Sequence, residues 1–191
     1  MTSISIVGSG NMSQALQALF TRAGATVQVV NHGDLASTAI EGDIVVLAVP
    51  YTALTEIAGT LGSKLDGKIV VDITNVLDFS SFTPIKLPAG SAAAELAAAA
   101  PNAKVLKAFN TNFAATLTSG KVESAPISVL VAGDDADAKK TFGEVVTASG
   151  AAVYDLGGLD RAAELESLGY TQLLLAGTNQ IGWTNGFALF K

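Results

Sequence analysis

Ile4-Ser5-Ile6-Val7-Gly8-Ser9-Gly10-Asn11-Met12-Ser13 opens the segment from which the architecture follows. It continues through the apolar positions Ala15, Leu16, Leu19 and Phe20, then Gly24, and closes on Val27-Gln28-Val29-Val30-Asn31. A β-branched run, a glycine turn, an amphipathic segment ended by glycine and a second β-branched run make a strand–helix–strand unit of the length a parallel crossover requires. A chain that passes from strand to helix within a few residues brings its backbone close to a pyrophosphate only where side chains are absent. Gly8 permits the turn and Gly10 the close approach. The third position of that fingerprint is Ser13, small but neither Gly nor Ala. The amides of Gly10, Asn11 and Met12 at the helix start would face phosphate charge, aided by the helix dipole. These features point to a dinucleotide site along Gly8, Ser9, Gly10, Asn11 and Met12; the plainer possibility is an ordinary βα turn of another α/β domain.

Five further apolar runs follow on the C-terminal side. Ile44–Val49 is continuously apolar and stops at Pro50, as a central strand covered on both faces does. Ile69–Ile73, Lys104–Phe109, Ile127–Ala132 and Ala152–Tyr154 read as the remaining strands. Helical patterns occupy Tyr51–Leu61, the alanine-rich segment after a Ser91 cap, a short stretch after Asn112, Ala136–Ser149 with Asp134 as cap, and Asp160–Leu175. Residues Val76–Gly90, with Pro84 and Pro88, have no period and read as loop. The alternation predicts a Rossmann-type, doubly wound α/β fold with a mainly parallel sheet and helices on both faces. The 191 residues are expected to form one NAD(P)-binding domain, residues 1–191, with a C-terminal helical and glycine/aromatic tail. Trp183, Phe187 and Phe190 in that tail suggest a docking segment for a second subunit, and so a homodimer.

Composition narrows the chemistry. Without cysteine there are no disulfides, thiolate nucleophiles or cysteine-ligated metals, and with His32 as the one histidine no multi-histidine metal site is expected. Redox work would then fall to organic cofactors. A net charge of −6 argues against general nucleic-acid binding. Although 49% of residues are hydrophobic, no run approaches the ~20 apolar residues of a membrane span. Residues 1–20 show no basic leader, so a cytoplasmic protein is expected.

In an open parallel sheet ligands bind beyond the carboxyl ends of the strands. There the sequence places the glycine turn, Asn31-His32, Ala48-Val49-Pro50-Tyr51, Thr74-Asn75 and Asn110-Thr111. After the second strand an NAD-binding unit carries Asp or Glu for the ribose hydroxyls, whereas this chain has Asn31-His32, which favours NADP.

The series Gly8-Ser9-Gly10-Asn11-Met12, Ala48-Val49-Pro50-Tyr51, Val71-Asp72-Ile73-Thr74-Asn75, Lys107-Ala108-Phe109-Asn110-Thr111 and Val131-Ala132-Gly133-Asp134-Asp135 resembles, in order and spacing, the NADP oxidoreductases that use the deazaflavin coenzyme F420. The first hundred residues are similar also to the cofactor domains of pyrroline-5-carboxylate reductase and of ferric-reductase proteins. The resemblance implies a Rossmann domain with NADP along Gly8–Met12, Asn31–His32 and Ala48–Tyr51. Asn31-His32 replaces the Ser-Arg type of pair common in that family, and Val76–Ser91 shows no deazaflavin-binding pattern.

The activity expected is hydride transfer between nicotinamide and a flat conjugated acceptor of deazaflavin, flavin or quinone type. It needs no side-chain nucleophile. Pro50 and Tyr51 would shape the nicotinamide end, Asn75 and Asn110 would anchor polar groups, and Phe109 reads as core; no general acid is singled out. The alternative is a non-catalytic NADP(H)-binding sensor. Imine reduction would need a helical dimerisation domain that 191 residues do not accommodate.

Overall fold

The structure is a computed structural model that describes residues 2–190. In chain order its elements are β1 (Ser3–Val7), α1 (Asn11–Arg22), β2 (Thr26–Val30), β3 (Ile44–Leu47), α2 (Leu54–Leu61), β4 (Ile69–Asp72), β5 (Leu77–Asp78), β6 (Thr83–Pro84), α3 (Ala92–Ala99), β7 (Lys104–Ala108), α4 (Ala114–Ser119), β8 (Lys121–Val122), β9 (Ala125–Pro126), β10 (Ser128–Gly133), α5 (Ala136–Ala148), β11 (Ala152–Asp155) and α6 (Ala162–Gly177). Seven strands form one sheet in the order β11-β10-β7-β4-β3-β1-β2. The fold is thus the Rossmann-type, mainly parallel arrangement expected from the strand–helix alternation.

Strand alternation divides the apolar residues between two layers. Ile44 and Val46 join Leu16, Phe20 and Phe142 on one face, under α1, α4 and α5. Val45 and Leu47 join Ile57, Leu61 and Leu96 on the other, under α2 and α3. Leu165 of α6 packs on Leu130 and Ala132 of the same second face. In the first layer Phe109 meets Phe20 and Phe142 edge-on, with ring centroids 5.9 and 5.4 Å apart. Such contacts add about 0.5–1.5 kcal/mol each beyond burial. Phe109 is fully buried, as its reading as core requires.

Four local features depart from the sequence pattern. β10 runs antiparallel to β7, with Val131 opposite Ala108. The six-residue α4 is about 9 Å long and cannot carry the chain back along a strand for a parallel return. β5 and β6 make a short hairpin inside the segment that reads as loop, and β8 and β9 make another. The cap of α5 is Asp135, whose Oδ1 accepts from the Ala138 amide at 2.7 Å. Asp134 instead accepts from the Leu159 amide at 2.8 Å and ties the start of α6 to the end of β10.

The tail lies on the domain. The Phe187 amide donates to Gln172 Oε1 at 3.1 Å and the Leu189 amide to Ser128 Oγ at 2.9 Å. Trp183 rests on Phe113, ring centroids 5.0 Å apart, yet half of it remains exposed, as does most of Phe190.

Candidate functional site at the carboxyl edge of the sheet

β1 has β2 on one side and β3 on the other, so the chain reverses its direction of travel there and a crevice opens beyond the carboxyl ends of β1 and β3. Gly8 lies at that point with φ +114°, and its amide donates to the Val30 carbonyl at 2.9 Å. A Cβ on Gly8 would sit 2.3 Å from the Ala48 carbonyl oxygen, so the first turn and the end of β3 touch through bare backbone. Gly10 differs: nothing lies within 4 Å of its Cβ position. It is the N-cap of α1 and offers no side chain to the amides of the first turn. Those amides, with exposed Ser9 and Asn11 and half-buried Met12 around them, form an open, positively polarised cradle suited to a pyrophosphate. Ser13 is buried, and its Oγ has no hydrogen-bond partner.

Asn31 and His32 are exposed at the end of β2. Asn31 Nδ2 donates to Asp34 Oδ2 at 3.4 Å, so a carboxylate stands beside the pair after all, three residues beyond Asn31 and brought back by the 3₁₀ turn His32–Asp34. The nearby cation is already engaged: Lys64 Nζ donates to the carbonyls of Leu35, Ala36 and Thr38 at 2.7, 2.9 and 3.0 Å. Ala48 and Val49 are half-buried against the glycine turn, and Pro50 is exposed. Tyr51 Oη donates to Glu95 Oε2 at 3.3 Å. Burial, then the Glu95 charge, raises the Tyr51 hydroxyl above its ordinary value.

Asn75 and Asn110 come together, as their shared strand-end position suggests. Asn75 Nδ2 donates to the Asn110 carbonyl at 2.8 Å, and Asn110 Nδ2 donates to Asn75 Oδ1 at 3.0 Å and to the Leu165 carbonyl at 2.7 Å. Phe109, at φ +60°, turns the chain sharply out of β7 just before Asn110. Asn110 Oδ1 and Thr74 Oγ1 are buried and without partners. Two unpartnered polar atoms at adjacent strand ends suit a ligand that carries an amide. A Cβ on Gly169 of α6 would fall 2.3 Å from Asn75 Oδ1, so α6 lies directly on this amide pair.

Beside the pair is a cluster that strand-end reasoning passes over. Lys107 is fully buried and donates to Asp72 Oδ2 at 2.8 Å, the Thr74 carbonyl at 2.6 Å and Glu166 Oε1 at 2.8 Å. Its signal was in the sequence: opposite charges near the ends of two otherwise apolar strands. Glu166 also accepts from the Ala92 amide at 2.9 Å. Burial raises the Glu166 carboxyl above its ordinary value, against the pull of Lys107. Glu166 lines a cleft of about 500 Å³ between α6 and the segment after β4, with Val76, Leu87, Lys86, Ser167 and Tyr170. Among the described residues no cluster of His, Asp and Glu is arranged to hold a metal, and no helix is long and apolar enough to cross a membrane.

With this geometry in hand, comparisons with known proteins agree on the architecture. A family model described as NADP oxidoreductase, coenzyme F420-dependent, matches residues 30–76. The crystal structure of a hypothetical protein from Sinorhizobium meliloti is 31% identical, with a TM-score of 0.71, over 83% of this chain and 86% of that one. That of a putative F420-dependent NADP reductase from Arthrobacter covers 100% of both chains at 24% identity and a TM-score of 0.85, a likeness of fold. The rat metalloreductase STEAP3 is 28% identical over 183 residues, which are 86% of this chain but 36% of that protein, so the chain spans about a third of that relative. Residues 30–76 are thus similar to the NADP oxidoreductases described as coenzyme F420-dependent, within a fold shared with the Arthrobacter structure.

Proposed function

We propose that this protein binds NADPH along the carboxyl edge of β1, β2, β3, β4 and β7 and transfers hydride between its nicotinamide and a flat conjugated acceptor of deazaflavin, flavin or quinone type. The observation that carries the proposal is the open glycine cradle at the end of β1, in one sheet with the Asn75 and Asn110 pair that follows β4 and β7. β1, β3, β4 and β7 are adjacent, so their ends span about 14 Å, a length over which an extended dinucleotide can lie from turn to cleft.

In this proposal the first-turn amides at Gly10, Asn11 and Met12 hold the pyrophosphate, with Gly8 and Ser9 forming the turn. Asn31 and His32 border the adenosine end. Ala48, Val49, Pro50 and Tyr51 wall the middle, and Asn75 and Asn110 fix the carboxamide. When bound, NADPH supplies the hydride. The chain's own part is to orient the two rings and exclude water between them, which is where positioning lowers a barrier most. We propose further that the exposed aromatic tail takes part in a homodimer.

The test is a panel of deazaflavin, flavin and quinone acceptors at fixed NADPH, followed at the nicotinamide absorbance. Turnover with one acceptor class is expected. Tight NADPH binding without any turnover would replace the enzyme by an NADP(H)-binding sensor.

A further inference from the structure

We propose that Glu166 delivers a proton to the acceptor bound in the cleft, with Lys107 and Asp72 as the positioning groups behind it; the role rests on the hydride-transfer reaction proposed above. The two carboxylate oxygens are unequal. Oε1 accepts from Lys107 Nζ at 2.8 Å and from the Ala92 amide at 2.9 Å, whereas among the described residues Oε2 has no partner. The side chain is only 10% exposed, and that exposure opens into the cleft. Val76 and Leu87 supply apolar wall around it.

Charge shapes the titration of Glu166. Asp72 already neutralises Lys107, and both are fully buried. An ionised Glu166 would leave the cluster with one uncompensated negative charge in a largely buried position, so the carboxyl holds its proton to higher pH than an ordinary glutamate. Once the proton is given up, the remaining carboxylate lies against the Lys107 ammonium, which keeps its release possible. The other charged or titratable groups around Glu166 are Tyr51 with its partner Glu95 on the α2 and α3 side, and Tyr170 and Lys86 across the cleft. None of these makes an ion pair or hydrogen bond with Glu166.

The reaction balances as NADPH, acceptor and one proton giving NADP⁺ and an acceptor that has gained a hydride and a proton. The O–H bond at Glu166 Oε2 breaks, an N–H or O–H bond forms on the acceptor, and the electron pair stays on the carboxylate. Solvent at the mouth of the cleft returns the proton.

Glu166→Gln separates this role from that of a strut between α6 and α3, because the amide oxygen still accepts from Ala92 and Lys107. In steady-state assays the variant should lose about 100-fold in kcat for the acceptor, with the NADPH Kd unchanged within about twofold. The wild-type rate should fall as pH rises past the Glu166 titration, and that limb should vanish in the variant. If Glu166→Gln does not fold, Glu166→Asp, which keeps an acid, should retain the limb at a reduced rate. Independently of turnover, carbon-13 NMR of glutamate-labelled, cofactor-free protein should show one carboxyl titrating above the ordinary glutamate range, assigned by its loss in the variant. A wild-type rate and pH profile in Glu166→Gln, or an ordinary titration, overturns the role of Glu166 and leaves hydride transfer standing. Failure of the wild type to reduce any acceptor while it binds NADPH removes the hydride-transfer proposal and this role with it.

Discussion

Asp72 and Lys107 stand opposite each other in the register of β4 and β7, and their side chains meet at 2.8 Å with neither exposed to solvent. Adjacent parallel strands point register partners to the same face, here the face under α3 and α6, so the contact follows from the pairing itself. Removing one partner of such a buried pair strands the other's charge. Lys107→Met should lower the unfolding free energy by about 3–5 kcal/mol at neutral pH. The loss should be smaller in acid, where Glu166 is protonated and no longer adds its charge to the cluster. Urea unfolding at two pH values measures both. An unchanged midpoint at neutral pH would show that the cluster carries no net stabilising charge pairing.

The two glycines of the first turn should respond in opposite ways. Gly8→Ala puts a methyl 2.3 Å from the Ala48 oxygen at a φ that side chains avoid, so it should compromise folding before it affects any ligand. Gly10→Val enters open space and should fold like the wild type while losing at least about tenfold in NADPH affinity, roughly 1.4 kcal/mol. Melting temperature and fluorescence titration of the pair check this. Full NADPH affinity in a folded Gly10→Val would move the phosphate site elsewhere.

On the proposed reading, cofactor choice would be set by charge at the end of β2. Asp34 already lies 3.4 Å from Asn31, so Asn31→Asp places two carboxylates where a 2′-phosphate would lie. At about 4 Å each added repulsion costs on the order of 1–4 kcal/mol between water-like and surface-like dielectrics. NADPH affinity should fall roughly tenfold to several-hundredfold, and less at high salt because the pair is exposed. Asp34→Asn should raise it. Dissociation constants for NADPH and NADH at two salt concentrations decide the point, and an unchanged ratio in both variants would remove Asn31 from the 2′-phosphate site.

Glu166 also predicts a pH dependence of stability. Because the folded chain holds this proton to higher pH than the unfolded one, the folded state binds more protons in that window. The unfolding free energy should therefore decline as pH rises from the ordinary glutamate value through the folded one. Asp78 and Asp135, held low by the Ser80 hydroxyl and the Ala138 amide respectively, act in the opposite sense and in a lower window, below the ordinary aspartate value. The wild type minus Glu166→Gln difference, from denaturation across mildly acidic to neutral pH, isolates the decline; a flat difference would contradict it.

Truncation after Gly177 removes Trp183, Phe187 and Phe190 and uncovers Phe113. Analytical ultracentrifugation should find a dimer before truncation and a monomer after it. A soluble monomer in both cases would assign the tail to the packing of its own domain alone.

The seven strands are legible in the sequence because each is a short, largely apolar run, broken at most by single residues such as Ser5, Gln28 and Lys107, and such runs arise where a sheet is covered on both sides. The glycine turn is legible because its residues act through backbone alone. The direction of β10 is not, since it depends on α4 being too short to cross over, a matter of length rather than of pattern. Asp34 escapes a search two residues wide at the end of β2 because a 3₁₀ turn folds it back toward Asn31. The cluster of Asp72, Lys107 and Glu166 joins residues 35 and 59 positions apart in its two links, and only strand register and the docking of α6 bring them together.

That docking has a wider consequence. Leu165, Glu166, Gly169 and Tyr170 lie on adjoining turns of one helix, and they touch, in order, the Asn110 amide, the buried lysine, the asparagine pair and the cleft. One rigid body thus forms part of both compartments, and a bulkier residue at Gly169 would disturb the two at once. Adaptation to a new acceptor would be channelled to the opposite wall, around Pro84 to Gly90, which lines the cleft and, among the described residues, makes no hydrogen bond to the asparagine side chains. Diversity among descendants of this fold should accumulate on that wall while the helix stays constant.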